Sequence, residues 1–111
     1  MRRSICLGVL TFAGVFATIA VNEARQDRAA LATRTIADNL FMLANAPSVQ
    51  GMGGGGNTAI FVMTSGVALV DTKINGYGPD ILAAVRELTD KPITTIINTH
   101  THGDHTGSNA E

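Results

Sequence analysis

The chain has 111 residues, 45% of them hydrophobic, with no Trp, a single Cys and a formal net charge of −1. That length suits one small domain and excludes two. Eight Lys and Arg stand against nine Asp and Glu, which leaves no basic surface for nucleic acid and no acidic interaction tail. A small molecule is therefore the expected partner.

Arg2 and Arg3 precede an uncharged stretch, residues 4–22, rich in Leu, Val, Ile, Phe and Ala. This is the layout of a secretory signal peptide. The small residues Thr18 and Ala20 put the expected cut after Ala20, so residues 1–20 are read as the signal and the mature protein as exported, periplasmic or secreted. The alternative is an uncleaved anchor, the one case in which stable membrane association is expected. The Arg pair also resembles a twin-arginine signal, but Ser4-Ile5-Cys6-Leu7 matches that pattern poorly. Cys6 is the only cysteine and lies in this segment, so a metal site in the mature part must use His and carboxylate.

Residues 21–35 are charged and Ala-rich, with too few apolar side chains to pack alone, and read as a linker. The folded part, 36–111, is expected to start with a strand over 36–43, although Asp38-Asn39 signals a turn within it. The string Gly51-Met52-Gly53-Gly54-Gly55-Gly56 satisfies the G-x-G-x-x-G template of dinucleotide sites. That motif needs a helix behind it to hold a pyrophosphate, and Asn57-Thr58-Ala59-Ile60-Phe61-Val62-Met63 is strand-like instead. The glycines therefore read as a flexible loop between strands that borders the site.

Residues 58–63 and 67–70, joined by Thr64-Ser65-Gly66, predict an antiparallel hairpin whose second strand closes at Asp71-Thr72. Pro79 suits the first turn of a helix, and Ile81, Leu82, Val85 and Leu88 recur at helical spacing. Lys91-Pro92 ends it. The β-branched run 93–98 follows as a strand of the kind buried in a sheet core. Strand, hairpin, helix and strand in that order indicate a layered α/β domain.

All three histidines fall within six residues, immediately after that strand: His100-Thr101-His102-Gly103-Asp104-His105. Alternating with small residues and joined by an Asp, they make an odd use of a solvated loop. In an extended segment His100 and His102 project to one side and can converge on one cation at about 2.0–2.1 Å, as zinc prefers. Gly103 then offers the freedom to bend, so that Asp104 and His105 address a second cation about 3.5–4 Å away. Small Thr106 and Gly107 allow a close approach of backbone, and Ser108-Asn109 is placed to begin another helix.

The segment Thr99-His100-Thr101-His102-Gly103-Asp104-His105-Thr106-Gly107 resembles the H-x-H-x-D-H-x-G signature of the metallo-beta-lactamase superfamily. The resemblance extends over about residues 36–111, because Asn57-Thr58-Ala59 leading to Gly66-Val67-Ala68-Leu69-Val70-Asp71-Thr72 is similar to the family's opening hairpin. It implies a four-layer αβ/βα sandwich of which residues 36–111 form the N-terminal half. It further implies that His100 and His102 hold metal one, that Asp104 and His105 hold metal two, and that Asp71 supports the site. The implied cofactor is two Zn2+, with iron or manganese as substitutes. The implied activity is hydrolysis of an ester, thioester, lactone or lactam-type bond by a metal-bridging water, with Asp104 as the catalytic residue that orients it. Phosphoesters are also substrates of similar proteins. His105 stands where one beta-lactamase branch has Arg, so membership of that branch is not expected.

A further His, a bridging Asp and a last His belong to the family's ligand pattern and would lie past Glu111. The chain is therefore read as the N-terminal part of a longer protein, expected by itself to bind metal poorly and to turn over no substrate. Two other readings use the same residues: an iron-dependent oxidoreductase on this scaffold, and a non-catalytic metal-binding domain. The export reading carries its own test. Protein recovered outside the cytoplasm should begin near Val21 on N-terminal sequencing; soluble cytoplasmic protein retaining Met1 would contradict it.

Overall fold

A computed structural model describes residues 30–46 and 53–111. The expected signal peptide and the first nine residues of the expected linker lie outside the described residues, as do Gly51 and Met52 of the glycine-rich string. The described elements run β1 (Leu31–Ala37), β2 (Leu40–Asn45), β3 (Thr58–Val62), β4 (Val67–Val70), α1 (Gly78–Leu88), β5 (Ile93–Ile97) and the short α2 (Gly103–Thr106). Among the described residues no helix is long and apolar enough to cross a membrane.

The five strands form one sheet in the order β1-β2-β3-β4-β5. Its first four strands are a meander. Asp38-Asn39 makes the turn between β1 and β2, with Ala37 opposite Leu40, so the single strand expected over 36–43 is two strands of a hairpin. The sheet starts at Leu31, and the expected linker therefore ends by residue 30 rather than 35. The reason is local: Leu31-Ala32-Thr33-Arg34-Thr35 has little apolar content, but an edge strand needs only one hydrogen-bonded neighbour, and β2 supplies it.

The hairpin of β3 and β4 is as expected, with Ala59 opposite Val70 and Val62 opposite Val67. Its turn is closed by the Met63 N–H donating to the Gly66 carbonyl at 2.8 Å. β5 then pairs parallel to β4. Parallel neighbours require a crossover, and α1 is that crossover. Pro79 sits in its first turn, where a missing N–H costs nothing. The Glu111 carboxylate accepts from the N–H groups of Gly76 (2.7 Å) and Gly78 (3.0 Å), occupying donors that the start of the helix leaves free.

The core lies between one sheet face and α1. Leu43, Ile60, Val67 and Leu69 from the strands meet Tyr77, Ile81, Ala84 and Val85. In β3 the pattern alternates as a half-covered strand must, with Thr58 and Ile60 buried and Phe61 exposed between Ile60 and Val62. Leu82 and Leu88 border the stripe rather than filling it, being half-buried. β5 has one neighbour among the described residues and is exposed from Thr94 onward, with Ile97 at 52%. A β-branched run gives the same signal for a strand covered on both faces and for one with a single neighbour, and among the described residues β4 alone pairs with it.

This one-sided core sets the cost of core substitutions. Ile60 is fully buried, so Ile60→Ala should lower the unfolding free energy by about 2–5 kcal/mol in urea titrations. Ile36→Ala, at 57% exposure, should change it by about 0.5 kcal/mol or less. Equal losses at the two positions would contradict the packing described.

Candidate metal centre

The site is built where two strands end side by side. β4 runs out at Val70 and β5 at Ile97, and the Asp71 N–H still donates to the Ile97 carbonyl at 2.8 Å. Beyond this the chain leaves strand geometry on both sides. Asp71 and Lys73 both take φ of 63°, a left-handed conformation that costs a non-glycine residue roughly 1–2 kcal/mol. The two left-handed residues turn the chain sharply around Thr72. Its N–H donates to the His105 carbonyl (2.8 Å), and the Gly107 N–H donates to the Lys73 carbonyl (2.9 Å). The turn over 71–73 thus grips the segment that carries Asp104 and His105.

Asp71 is buried and surrounded by donors. Its Oδ1 accepts from the Thr99 backbone N–H at 2.8 Å. Its Oδ2 accepts from the Thr99 hydroxyl at 2.8 Å and lies 2.7 Å from His105 Nδ1. Burial by itself would raise the carboxyl, but the hydrogen bonds from His105 and from both donors of Thr99 outweigh it and hold Asp71 below its ordinary value. An ionised carboxylate only accepts. His105 Nδ1 must therefore carry a proton, and in the neutral imidazole that leaves Nε2 as the acceptor nitrogen.

The same reasoning passes through Thr99 to His100. The Thr99 hydroxyl has one proton and gives it to Asp71, yet Thr99 Oγ1 lies 3.0 Å from His100 Nδ1. It can only accept there, so His100 Nδ1 carries a proton, and in the neutral ring Nε2 is again the acceptor nitrogen. One carboxylate fixes the tautomer of both imidazoles. In that neutral form Nε2 of His105 and Oδ2 of Asp104, 3.3 Å apart, are both acceptors. Two lone pairs at that separation repel unless a cation or an extra proton stands between them.

Ligand atoms of His100, Asp104 and His105 all lie within 4.8 Å of one another. Neighbouring ligands on a tetrahedral zinc with bonds of about 2.0–2.1 Å are about 3.3 Å apart, which matches the Asp104–His105 separation. Imidazole and carboxylate are also the donor types zinc takes in catalytic sites. The residues fit a metal.

The arrangement differs from the expected division into a His100–His102 pair and an Asp104–His105 pair. His100 and His105 have ring centroids 4.1 Å apart, whereas His102 stands outside the three-residue group, its ring edge-on to His100 at 4.7 Å. The expectation assumed an extended segment, but residues 99–101 form a bend, so the two-residue alternation of a strand does not apply. Gly103 is not the hinge either. It opens α2, and a side chain there would meet nothing within 4 Å. Ser108-Asn109 starts no helix and belongs to a turn, where Ser108 Oγ donates to the Ile74 carbonyl (2.7 Å) and accepts from the Tyr77 N–H (3.0 Å).

The glycine loop does border the site. A Cβ on Gly56 would fall 2.7 Å from His105 Cε1, and one on Gly55 would fall 2.7 Å from the Asp104 carbonyl oxygen. Gly55 moreover has φ of 81°, which suits glycine alone. Sequence reasoning missed Thr99 and Asn98. Asn98 Nδ2 donates to the His105 carbonyl at 3.0 Å, and Asn109 Nδ2 donates to Asn98 Oδ1 at 2.8 Å. Both flank the motif, yet polar residues at a strand end are common and carry no signal of their own.

With this geometry in hand, comparisons place the chain among known proteins. The metallo-beta-lactamase superfamily model matches residues 51–111, more than half of the chain. A search of curated proteins gives no match. Among solved structures, a metallo-beta-lactamase from Hirschia baltica is 26% identical with a TM-score of 0.57, the match covering 71% of this chain and 37% of that one. A flavoprotein from Thermotoga maritima shares the fold at 23% identity and a TM-score of 0.56, over 72% of this chain and 23% of that one. The chain thus spans well under half the length of either structure. The chain belongs to the metallo-beta-lactamase superfamily.

Proposed function

We propose that this chain carries the first ligands of a metal-dependent hydrolase, with zinc as the metal and an ester, thioester, lactone or lactam as the substrate class. The observation that carries the reading is the convergence of His100, Asp104 and His105 ligand atoms within 4.8 Å of one another, with His105 Nε2 facing Asp104 Oδ2 at 3.3 Å. Membership of a superfamily with a metal-dependent, hydrolase-type fold supports it. His100, Asp104 and His105 would hold one ion, and His102, one ring away from His100, is available to a second. When bound, the metal supplies Lewis acidity for a carbonyl and makes a water acidic near neutral pH.

The chain's own residues have separate tasks in this reading. Asp71 holds the protons on the far side of His105 and, through Thr99, of His100, so that neither ring can turn its N–H toward the metal. Asp104 is half-exposed where His105 is also open to solvent, and its second oxygen is free to orient a water and take its proton. Glycines 54–56 keep side chains away from His105 on the loop side, which leaves room beside the metal for substrate.

An iron-dependent oxidoreductase is the second reading. His and carboxylate donors suit iron as they suit zinc, and one protein of similar fold is described as a flavoprotein. Metal analysis together with an oxygen-consumption assay separates the two. Zinc with hydrolysis supports the first reading, and iron with oxygen uptake overturns it in favour of the second. Export to the periplasm or beyond, proposed from the N-terminal residues, places either activity outside the cytoplasm.

Substitutions test the ligand set. In a full-length parent protein, Asp104→Ala and His105→Ala should each lower the zinc content measured by atomic absorption, and an unchanged metal content in both would sink the assignment. Asp71→Asn should weaken zinc binding by about 10–100-fold without removing a ligand. The same variant has a pH signature in the metal-free protein. Because the folded Asp71 titrates below its ordinary value of 3.8, it stabilises the fold above that value and the stabilisation is lost as pH falls through its folded value. Urea titrations between pH 6 and pH 2 should therefore show a smaller acid-induced loss of stability in Asp71→Asn than in the parent.

A further inference from the structure

The most deeply buried charge among the described residues lies outside the ligand set. Lys73 has no exposed surface, and its ammonium donates to the Gly56 carbonyl at 2.7 Å and to Asn45 Oδ1 at 3.3 Å. Both acceptors are neutral. A Leu or Met would fill this space without desolvating a charge, and burial lowers the ammonium to about 8. A core needing only volume would not use lysine here.

What the ammonium holds is the wall of the metal centre. Gly56, whose carbonyl it binds, donates its own N–H to the Asp104 carbonyl at 3.0 Å. Asn45, its other acceptor, donates from Nδ2 to the Gly55 carbonyl at 3.3 Å. The backbone of Lys73 meets the ligand turn from the other side, where its carbonyl accepts from the Gly107 N–H at 2.9 Å. One residue thus fastens the loop before β3 and the turn after β5 to the end of β4. Its left-handed backbone makes this possible: Asp71 and Lys73, both at φ of 63°, deliver a carboxylate to His105 and an ammonium to the glycine loop from the same turn.

We infer that Lys73 is a positioning residue of the metal centre, its ammonium tying glycines 54–56 against the turn that carries Asp104 and His105. The inference rests on the metal-site reading above for its effect on zinc, and on the hydrogen bonds alone for its effect on the loop. Lys73→Met keeps the volume and removes the donors. Asn45→Ala, at a half-buried position, removes one arm of the same network and serves if Lys73→Met does not fold.

Two readouts on the full chain decide it. Hydrogen exchange in the metal-free protein should show the Gly56 amide losing protection in Lys73→Met, and less so in Asn45→Ala, relative to the core amide of Ile60. Zinc titration should show a dissociation constant raised about 10–100-fold in Lys73→Met, the range for residues that orient ligands without touching metal. Ile60→Val, a core change at a side chain that takes part in none of these hydrogen bonds, controls for lost stability and should leave both readouts at parent values. Unchanged Gly56 protection and unchanged zinc affinity in whichever variant folds would overturn the inference, as would an equal loss of affinity in Ile60→Val. A full-length parent protein that binds no zinc would defeat the metal-site reading, while the Gly56 exchange would still establish or refute the tie between Lys73 and the loop.

Discussion

Asp71 collects three donors at the end of β4, and the chemistry of the site depends on what that carboxylate does to its neighbours. It is ionised because Thr99 and His105 supply hydrogen bonds that outweigh its burial. Being ionised, it forces the proton of His105 onto Nδ1 and orients the Thr99 hydroxyl, which in turn fixes His100. A metal centre needs imidazoles that present a lone pair rather than an N–H, in a fixed direction. Here a single buried charge does this for two rings. The left-handed backbone at Asp71 is the local cost of bringing the carboxylate off the strand axis and under the histidines.

The fold serves this arrangement by ending two parallel strands together. β4 and β5 pair through Val70 and Ile97, and the residues just past them, Asp71 and Thr99, meet across the gap. The crossover helix α1 and the Tyr77 that precedes it cover one face and supply half the core, so the strand ends are held by packing remote from the candidate metal ligands. Thr72, Lys73, Asn98 and Asn109 then add hydrogen bonds beneath the ligand turn. None of these four side chains belongs to the set that would touch metal. Together they hold the backbone from which Asp104 and His105 project.

Much of this was legible in the sequence, for reasons that differ from residue to residue. The His and Asp run stood out because metal-binding side chains are scarce here and all three histidines fall together. The β3–β4 hairpin and α1 were legible because periods of two and 3.6 are local properties. The placement of Asp71 beside His105 was legible only through resemblance, since a carboxylate at a strand end is ordinary. Three things were not legible. The start of β1 at Leu31 depends on its partner β2, not on its own weakly apolar residues. The grouping of His100 with Asp104 and His105, rather than with His102, depends on a bend over 99–101 that no residue type there requires. Lys73 reads as a surface lysine until the turn around Thr72 directs it inward.

The tautomer of His105 is the most direct test of the account, and long-range nitrogen–proton correlation spectra of the histidine side chains measure it. In the metal-free chain these should show His105 protonated at Nδ1 with Nε2 bare, and addition of zinc should shift the Nε2 resonances of His105 and His100 while leaving their Nδ1 protons in place. A proton found on Nε2 of His105, or zinc leaving both Nε2 resonances unmoved, would contradict the claim that Asp71 prepares these rings to bind metal.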